Sequence, residues 1–304
     1  MITVLGSINL DLVAVAERFP APGETVNGHA FTSSAGGKGA NQALAASRSG
    51  SPVRMVGGVG KDGFAAEALG MLRLADIDLS GVRTVPTATG TAVILIDSSG
   101  ENMITVIAGA NDAVDERSVE TGLENMTAGD FLMLQLEVPA STVAHALKAA
   151  REKGVTSILN IAPFTADAPR LAAMADFVIC NEMEFDMLAG TGTLDIGERI
   201  EALHRIHEHT GRAFAVTLGK DGVVAILDGE IRRAEGLKIQ PLDTVGAGDT
   251  FCGYLVGSLE QGLVFDAALR RAAIAGSLAC LTAGAQTSIP FSGDVDRAVA
   301  ASIS

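Results

Sequence analysis

The residues best suited to chemistry lie in Asp243-Thr244-Val245-Gly246-Ala247-Gly248-Asp249-Thr250, ahead of an apolar helical pattern at Phe251, Leu255, Val256 and Leu259. A Gly-Ala-Gly start keeps the first N–H groups of a helix clear of side chains. Those groups have no intrahelical acceptor, so they form an anion site. Asp249 conflicts with a simple anion, because its carboxylate would face the ligand that the amides attract. The conflict disappears if the anion is a phosphoryl group in transfer. Asp249 is then the general base for the attacking hydroxyl, and the amides of Gly246, Ala247 and Gly248 hold the developing charge. Read alone, Asp249 equally fits an acid in the first helical turn, favoured by the helix dipole.

Other constellations are weaker. Asn181 and Glu184 follow the strand-like FVIC and sit one helical turn apart, which suits either a polar pair facing a ligand or a cap with a glutamate at its third position. Gly58-Val59-Gly60-Lys61-Asp62-Gly63 has the G-x-G-x-x-G form of a dinucleotide fingerprint, yet it follows the second core strand and reads as a glycine-rich turn. Gly37-Lys38 and Gly60-Lys61 both lack the flanking residues of a P-loop. His204, His207 and His209 read as an exposed helix face, and Cys252 as a small buried residue.

These residues need a frame. Apolar runs at Ile2–Leu5, 53–56, 131–136, 156–161, 177–180, 214–218 and 223–227 read as strands. Segments 40–49, 64–74, 142–152 and 196–209 carry helical spacing. Such alternation predicts a mostly parallel sheet covered on both faces, with ligands at the C-terminal strand ends. Stretches 13–31 and 90–107 break the alternation; the latter reads as two strands around Asp-Ser-Ser-Gly-Glu. They predict extra antiparallel strands, serving as a lid over the ligand edge or as an oligomer contact.

The chain has 304 residues, 35 of them glycine, and a formal net charge of −14. That charge argues against a nucleic-acid partner, which would call for clustered Lys and Arg. Cys180, Cys252 and Cys280 are odd in number and lack metal-knuckle spacing, so a reducing, cytoplasmic setting is expected. The first residues lack a basic leader region, and no apolar run reaches the ~20 residues of a membrane helix, so no membrane partner is expected.

DTVGAGDTF, Gly36-Gly37-Lys38-Gly39-Ala40-Asn41-Gln42 and Gly6-Ser7-Ile8-Asn9-Leu10-Asp11 together resemble the ribokinase (phosphofructokinase-B) family of carbohydrate kinases, in order and spacing from about Ile2 to Pro290. The resemblance implies a single domain over 1–304: a three-layer α/β/α fold with a mostly parallel central sheet and a small antiparallel β lid inserted at about 12–34 and 90–108. It implies ATP-dependent phosphorylation of a sugar alcohol. The GGKGAN form, the N-x-D pair and GAQTSIP at 284–290 are nearest to the members that convert D-ribose to D-ribose 5-phosphate. Deoxyribose, fructose, 2-keto-3-deoxygluconate and adenosine are alternative acceptors. A nicotinamide oxidoreductase built on 58–63 and a noncatalytic sugar-binding regulator are the readings outside the class.

A pentose is a ring of hydroxyls and calls for fixed carboxylates and amides. Asn9 and Asp11 supply such groups and match the family's sugar pair. Gly36, Gly37, Lys38, Asn41 and Glu137 also match sugar positions, alongside Asp249. Asn181 and Glu184 match a segment near magnesium and phosphate, and Thr217, Gly219 and Gly248 one that holds ATP. Asp243, Val245, Ala279, Thr282, Gly284 and Ser288 match a monovalent-cation site, usually for K+, although Thr282 stands where relatives can carry a basic residue. A homodimer through the lid strands is also implied.

Overall fold

Short apolar runs bounded by Gly, Asn or Asp form the strands, as in ITVL, whose four residues are all buried. A computed structural model describes residues 1–302. The chain opens with β1 (Ile2–Leu5), β2 (Asn9–Ala16), β3 (Gly28–Gly36), α1 (Lys38–Arg48), β4 (Val53–Gly60), α2 (Phe64–Ala68), α3 (Gly70–Leu74) and β5 (Asp78–Val85). Next come β6 (Gly90–Ile96), β7 (Asn102–Ile107), α4 (Glu116–Leu123), β8 (Phe131–Leu134), α5 (Ala140–Lys153), β9 (Thr156–Asn160), α6 (Ala168–Ala172) and β10 (Phe177–Asn181). The last part is α7 (Glu182–Leu188), α8 (Ile196–Thr210), β11 (Ala213–Thr217), β12 (Val223–Leu227), β13 (Glu230–Ala234), α9 (Ala247–Glu260), α10 (Phe265–Ala279), α11 (Ala285–Ser288) and α12 (Ser292–Ala301).

Among the described residues the main sheet has nine strands in the order β13-β12-β11-β10-β9-β8-β1-β4-β5. Strands β1, β4, β5 and β8 to β11 are parallel, while β12 and β13 add an antiparallel edge. One apolar core packs α1, α9 and α10 on one face, and a second packs α4 to α8 on the other, giving the three layers. The chain builds outward from β1 through β4 to β5 and later outward through β8 to β11. The crevice between the C-terminal ends of β1 and β8 is therefore the topological switch point, where such sheets bind ligands.

A second sheet of order β3-β2-β6-β7 forms the lid. Its two outer pairs are antiparallel as expected, but β2 and β6, which join them, run parallel. The first lid segment is longer than the expected 12–34: β2 begins at Asn9 and β3 ends at Gly36, so Asn9 and Asp11 lie on a lid strand. The helix expected over 64–74 is divided into α2 and α3, with Gly70, a poor helix former, opening the second piece.

The dinucleotide reading of 58–63 fails on geometry. Gly58 and Gly60 lie inside β4, paired with β5, and not at a helix start. A Cβ at Gly58 would lie 2.5 Å from the Ala110 carbonyl oxygen, and one at Gly60 would lie 2.6 Å from the Ala88 carbonyl carbon, so both glycines admit neighbouring backbone.

Candidate active site

The side chains of the site line the C-terminal edge of the main sheet from the switch point outward: Ser7 follows β1, Glu137 follows β8, Asn181 and Thr217 end β10 and β11, Lys38 and Asp249 lie in the first turns of α1 and α9, and Asn9 and Asp11 stand on the lid strand β2. After β1, the Ser7 hydroxyl donates to Glu137 Oε2 (2.6 Å), which follows β8, and Glu137 Oε2 also accepts from the Lys38 amide (3.0 Å). This bond joins the two halves of the sheet across the crevice. Gly37 enters α1 at φ 90°, where a Cβ would be strained and would lie 2.8 Å from the Asn9 nitrogen. Asn9 is buried, and its Oδ1 accepts from Asn111 Nδ2 (2.7 Å), while Asn111 Oδ1 accepts from the Ile8 amide (2.9 Å). With Oδ1 taken, the Nδ2 donors are the part of the Asn9 amide that this bond leaves over. Asp11, close against Gly36, supplies acceptors; burial, with the nearby charges of Glu137 and Asp249, pushes its carboxyl up to about 6.

Asp249 stands at the start of α9 and is only 7% exposed. Its Oδ2 accepts from Asn41 Nδ2 (2.9 Å) and its Oδ1 from Gln42 Nε2 (3.0 Å), both on α1. The two helices can approach this closely because α9 carries Gly253, where a Cβ would lie 2.6 Å from the Ala46 nitrogen. Gly246 precedes α9 at φ 76°, and its carbonyl accepts from the Thr250 amide (2.8 Å). The Ala247 amide, expected to face the anion, instead donates to the Thr244 carbonyl (3.3 Å) in the turn that sets Gly246. The amides of Gly248 and Asp249 follow it in the first helical turn, where no intrahelical acceptor is available.

A cavity of about 230 Å³ opens beside Asp249, with Lys38, Asn181, Glu184, Thr217, Gly246 and Gly248 in its wall. Lys38 thus has two roles, its amide on Glu137 and its side chain in this cavity. The charge of Asp249 raises its ammonium above the ordinary lysine range against the opposing effect of burial, with help from Glu137 and Glu184. Asn181 and Glu184 form a reciprocal capping box at α7: Asn181 Oδ1 accepts from the Glu184 amide (2.8 Å) and Glu184 Oε2 from the Asn181 amide (2.9 Å). Capping and cavity wall coexist, because the box leaves Glu184 Oε1 and Asn181 Nδ2 unused. Burial pushes the Glu184 carboxyl up, opposed by the Asn181 amide and Lys38. Thr217 ends β11 in the same wall, whereas Gly219 opens a short 3₁₀ turn beyond it. Cys252, also lining the cavity, is fully buried in the helix, and burial pushes its thiol well up, as suits an inert packing residue.

The sequence matches the pfkB family carbohydrate kinase model over residues 1–292. The chain belongs to this family. As a pfkB-family carbohydrate kinase it is an ATP-dependent phosphotransferase acting on an alcohol group. It is 36% identical over 290 residues to a ribokinase of Haemophilus influenzae, covering 95% of each chain, and 32% identical over 292 residues to a deoxyribokinase of Salmonella typhi, again covering 95% of each. The kinase also superposes with a TM-score of 0.89 on the structure of Arabidopsis thaliana ribokinase complexed with ribose and ATP, at 31% identity and 97% coverage of both chains. No helix among the described residues is long and apolar enough to cross a membrane.

Behind the α9 loop, Asp243 joins two segments: its Oδ1 accepts from the Val245 amide (3.0 Å) and its Oδ2 from the Gly284 amide (2.8 Å). Ala279 ends α10, Thr282 and Gly284 lie in the following turn, and Ser288 closes α11. Each Asp243 oxygen keeps a lone pair beyond its amide bond, and an oxygen donor of this kind fits a hard cation of low charge. At Asn181 and Glu184, one spare carboxylate oxygen fits a Mg²⁺ ion that keeps most of its waters.

Spacing does not reveal Ser7, Gln42, Asn111, Gln135 and Asn160, all of them buried polar residues. The available signal is a polar side chain at or just past a strand end or on the apolar face of α1, and it does not reach Asn111, which lies in a 3₁₀ turn after β7.

Proposed function

We propose that this kinase transfers the γ-phosphoryl group of ATP to the 5-hydroxyl of D-ribose. The reading rests on one observation: the Asp249 carboxylate, held on both oxygens, lines the cavity walled by Lys38, Asn181, Glu184 and Thr217 and is also near enough to Asp11 for its charge to act there, as does that of Glu137. Asn9 and Asn41 present amides to the ring hydroxyls, Asp11 and Glu137 accept from them, and the backbone at Gly36 and Gly37 packs beside the ring. Asp249 takes the 5-hydroxyl proton as that oxygen attacks the γ-phosphorus and the bond to the β,γ-bridging oxygen breaks, releasing ADP. The amides of Gly248 and Asp249, with the Lys38 ammonium, hold the charge on the transferring group. Lys38 thereby serves phosphate more than sugar.

Thr217 and Gly219 border the nucleotide. Asn181 and Glu184 would hold Mg²⁺ through water, supplying charge neutralisation on the phosphates. Asp243, with carbonyls of Val245, Ala279, Thr282 and Gly284 and the Ser288 hydroxyl, would hold K+ and so order the Gly246 turn. Exposed Ile104 and Val106 share one face of the lid and exposed Phe31 and Met103 the other, and such an apolar face suits a second copy of the chain, in a cytoplasmic homodimer. A 2-deoxy acceptor is the second reading, favoured by the similar identity to the Salmonella enzyme.

A coupled ADP-release assay with ribose, deoxyribose, fructose, 2-keto-3-deoxygluconate and adenosine, with and without K+, tests the assignment. Ribose should give the highest kcat/KM, and Asp249→Asn should lower kcat by about 10²- to 10⁴-fold with ribose affinity retained. Preferential turnover of another acceptor displaces ribose, and near-normal turnover by Asp249→Asn removes the base.

A further inference from the structure

Fully buried polar side chains are placed where they are needed, since each must find partners away from water. Gln42, on the sheet-facing side of α1, has no exposed surface, and neither has Gln135. Both hydrogens of Gln42 Nε2 are used, one on Asp249 Oδ1 (3.0 Å) and one on Asn160 Oδ1 (3.1 Å). Its Oε1 accepts from Gln135 Nε2 (2.7 Å). The orientations of Gln42, Asn160 and Gln135 are determined by this run of bonds. Asn160 Nδ2 donates to the Ile179 carbonyl (3.1 Å), an acceptor only, so Asn160 must turn its oxygen to Gln42, and Gln42 must turn its NH₂ to both Asn160 and Asp249.

The two partners that fix Gln42 come from the ends of β8 and β9, in the rigid middle of the sheet. Asp249 rides on a different element, α9, whose preceding loop is held through Asp243. The amide of Gln42 thus ties the carboxylate to the main sheet, beside Glu137 after β8. Asn41 secures the other oxygen by a single bond, its own Oδ1 being buried without a partner, as is the Oε1 of Gln135, whereas Gln42 is bonded through its oxygen and both of its hydrogens.

We propose that Gln42 is a positioning residue for phosphoryl transfer, acting through Asp249: it holds Oδ1 so that the carboxylate's remaining lone pairs face the attacking hydroxyl. The proposal rests on the reading of Asp249 as general base. Gln42→Met keeps length and volume while removing the amide. It should lower kcat by about 10- to 10²-fold, the range expected when a reacting group is displaced by a fraction of an ångström to 1 Å. Ribose affinity measured by calorimetry without ATP should stay within about threefold, since Gln42 lies behind the carboxylate and not on the sugar. In the Asp249→Asn background the same substitution should change the residual rate by less than about twofold, because a residue that acts only through the base has nothing left to act on.

Normal kcat in Gln42→Met with collapsed Asp249→Asn overturns the proposal, as does a loss that multiplies with that of Asp249→Asn. Normal turnover in Asp249→Asn itself overturns the underlying assignment instead. If Gln42→Met does not fold, Gln135→Met, which frees Gln42 to swing, should lower kcat while sparing ribose affinity; an unchanged kcat in that variant, shown folded by its melting curve, also overturns the proposal.

Discussion

Ribose binding should weaken steeply as pH falls through 6, and Asp11 is the cause. Burial, then the charges of Glu137 and Asp249, push its carboxyl up to about 6. A raised carboxylate pKa means that the acceptor form prevails above that value and is lost below it. If only the ionised form accepts from the sugar, the dissociation constant is multiplied by one plus the protonated-to-ionised ratio, about 1 at pH 8, about 2 at pH 6 and about 11 at pH 5. An aspartate at its ordinary value near 3.9 would change the constant at pH 5 by only about a tenth, so the two cases differ by roughly an order of magnitude. Calorimetric titration of ribose without ATP, between pH 8 and pH 5, measures this directly and avoids any effect on the chemical step.

Two variants locate the effect. Asp11→Asn removes a charge-assisted acceptor worth about 1.5–3 kcal/mol, so binding at pH 8 should be roughly 10- to 100-fold weaker but flat down to pH 5. Asp249→Asn removes one of the charges that oppose ionisation of Asp11, so the pH at which binding weakens should move down. A wild-type constant that stays flat from pH 8 to pH 5, or a slope that survives in Asp11→Asn, would refute the assignment of Asp11 as the titrating sugar ligand.

Lys38→Met should lower kcat by about 10²- to 10³-fold, comparable to loss of one donor to a transferring group, with ribose affinity measured without ATP little changed; a large loss of ribose affinity with normal kcat would return Lys38 to the sugar side. Ile104→Glu with Val106→Glu places charge on one of the two exposed faces of β7 and should convert a dimer to a monomer by light scattering, because like charges would be buried against each other across a two-fold interface. A dimer that withstands both substitutions puts the contact elsewhere.

The sequence by itself determined what each segment could become. Period-two and period-3.6 apolar patterns do not depend on distant residues, so the parallel strands and the helices at 142–152 and 196–209 could be read locally. So could the Gly-Ala-Gly helix start, because free amides in a first turn are a property of any helix. Local pattern misled where a tertiary contact governs. Gly58 and Gly60 look like a phosphate loop but are glycines because Ala110 and the 88–89 backbone pass against β4. Asn9 and Asp11 fall outside the lid segment expected at about 12–34 until β3 and β6 are seen to pair with them. The parallel β2–β6 pairing is invisible to hairpin logic because it joins two separate insertions.

Only the tertiary structure decided the surroundings of Asp249. Asn41 and Gln42 are about two hundred residues away along the chain, and the close packing of α1 on α9 at Gly253 brings them to its two oxygens. A carboxylate's chemistry depends on which donors reach it and how deeply it is buried, and neither is encoded in its neighbours along the sequence. For the same reason the sequence could propose that Asp11 touches a sugar, but not that burial beside two other carboxylates would shift the pH at which it does so.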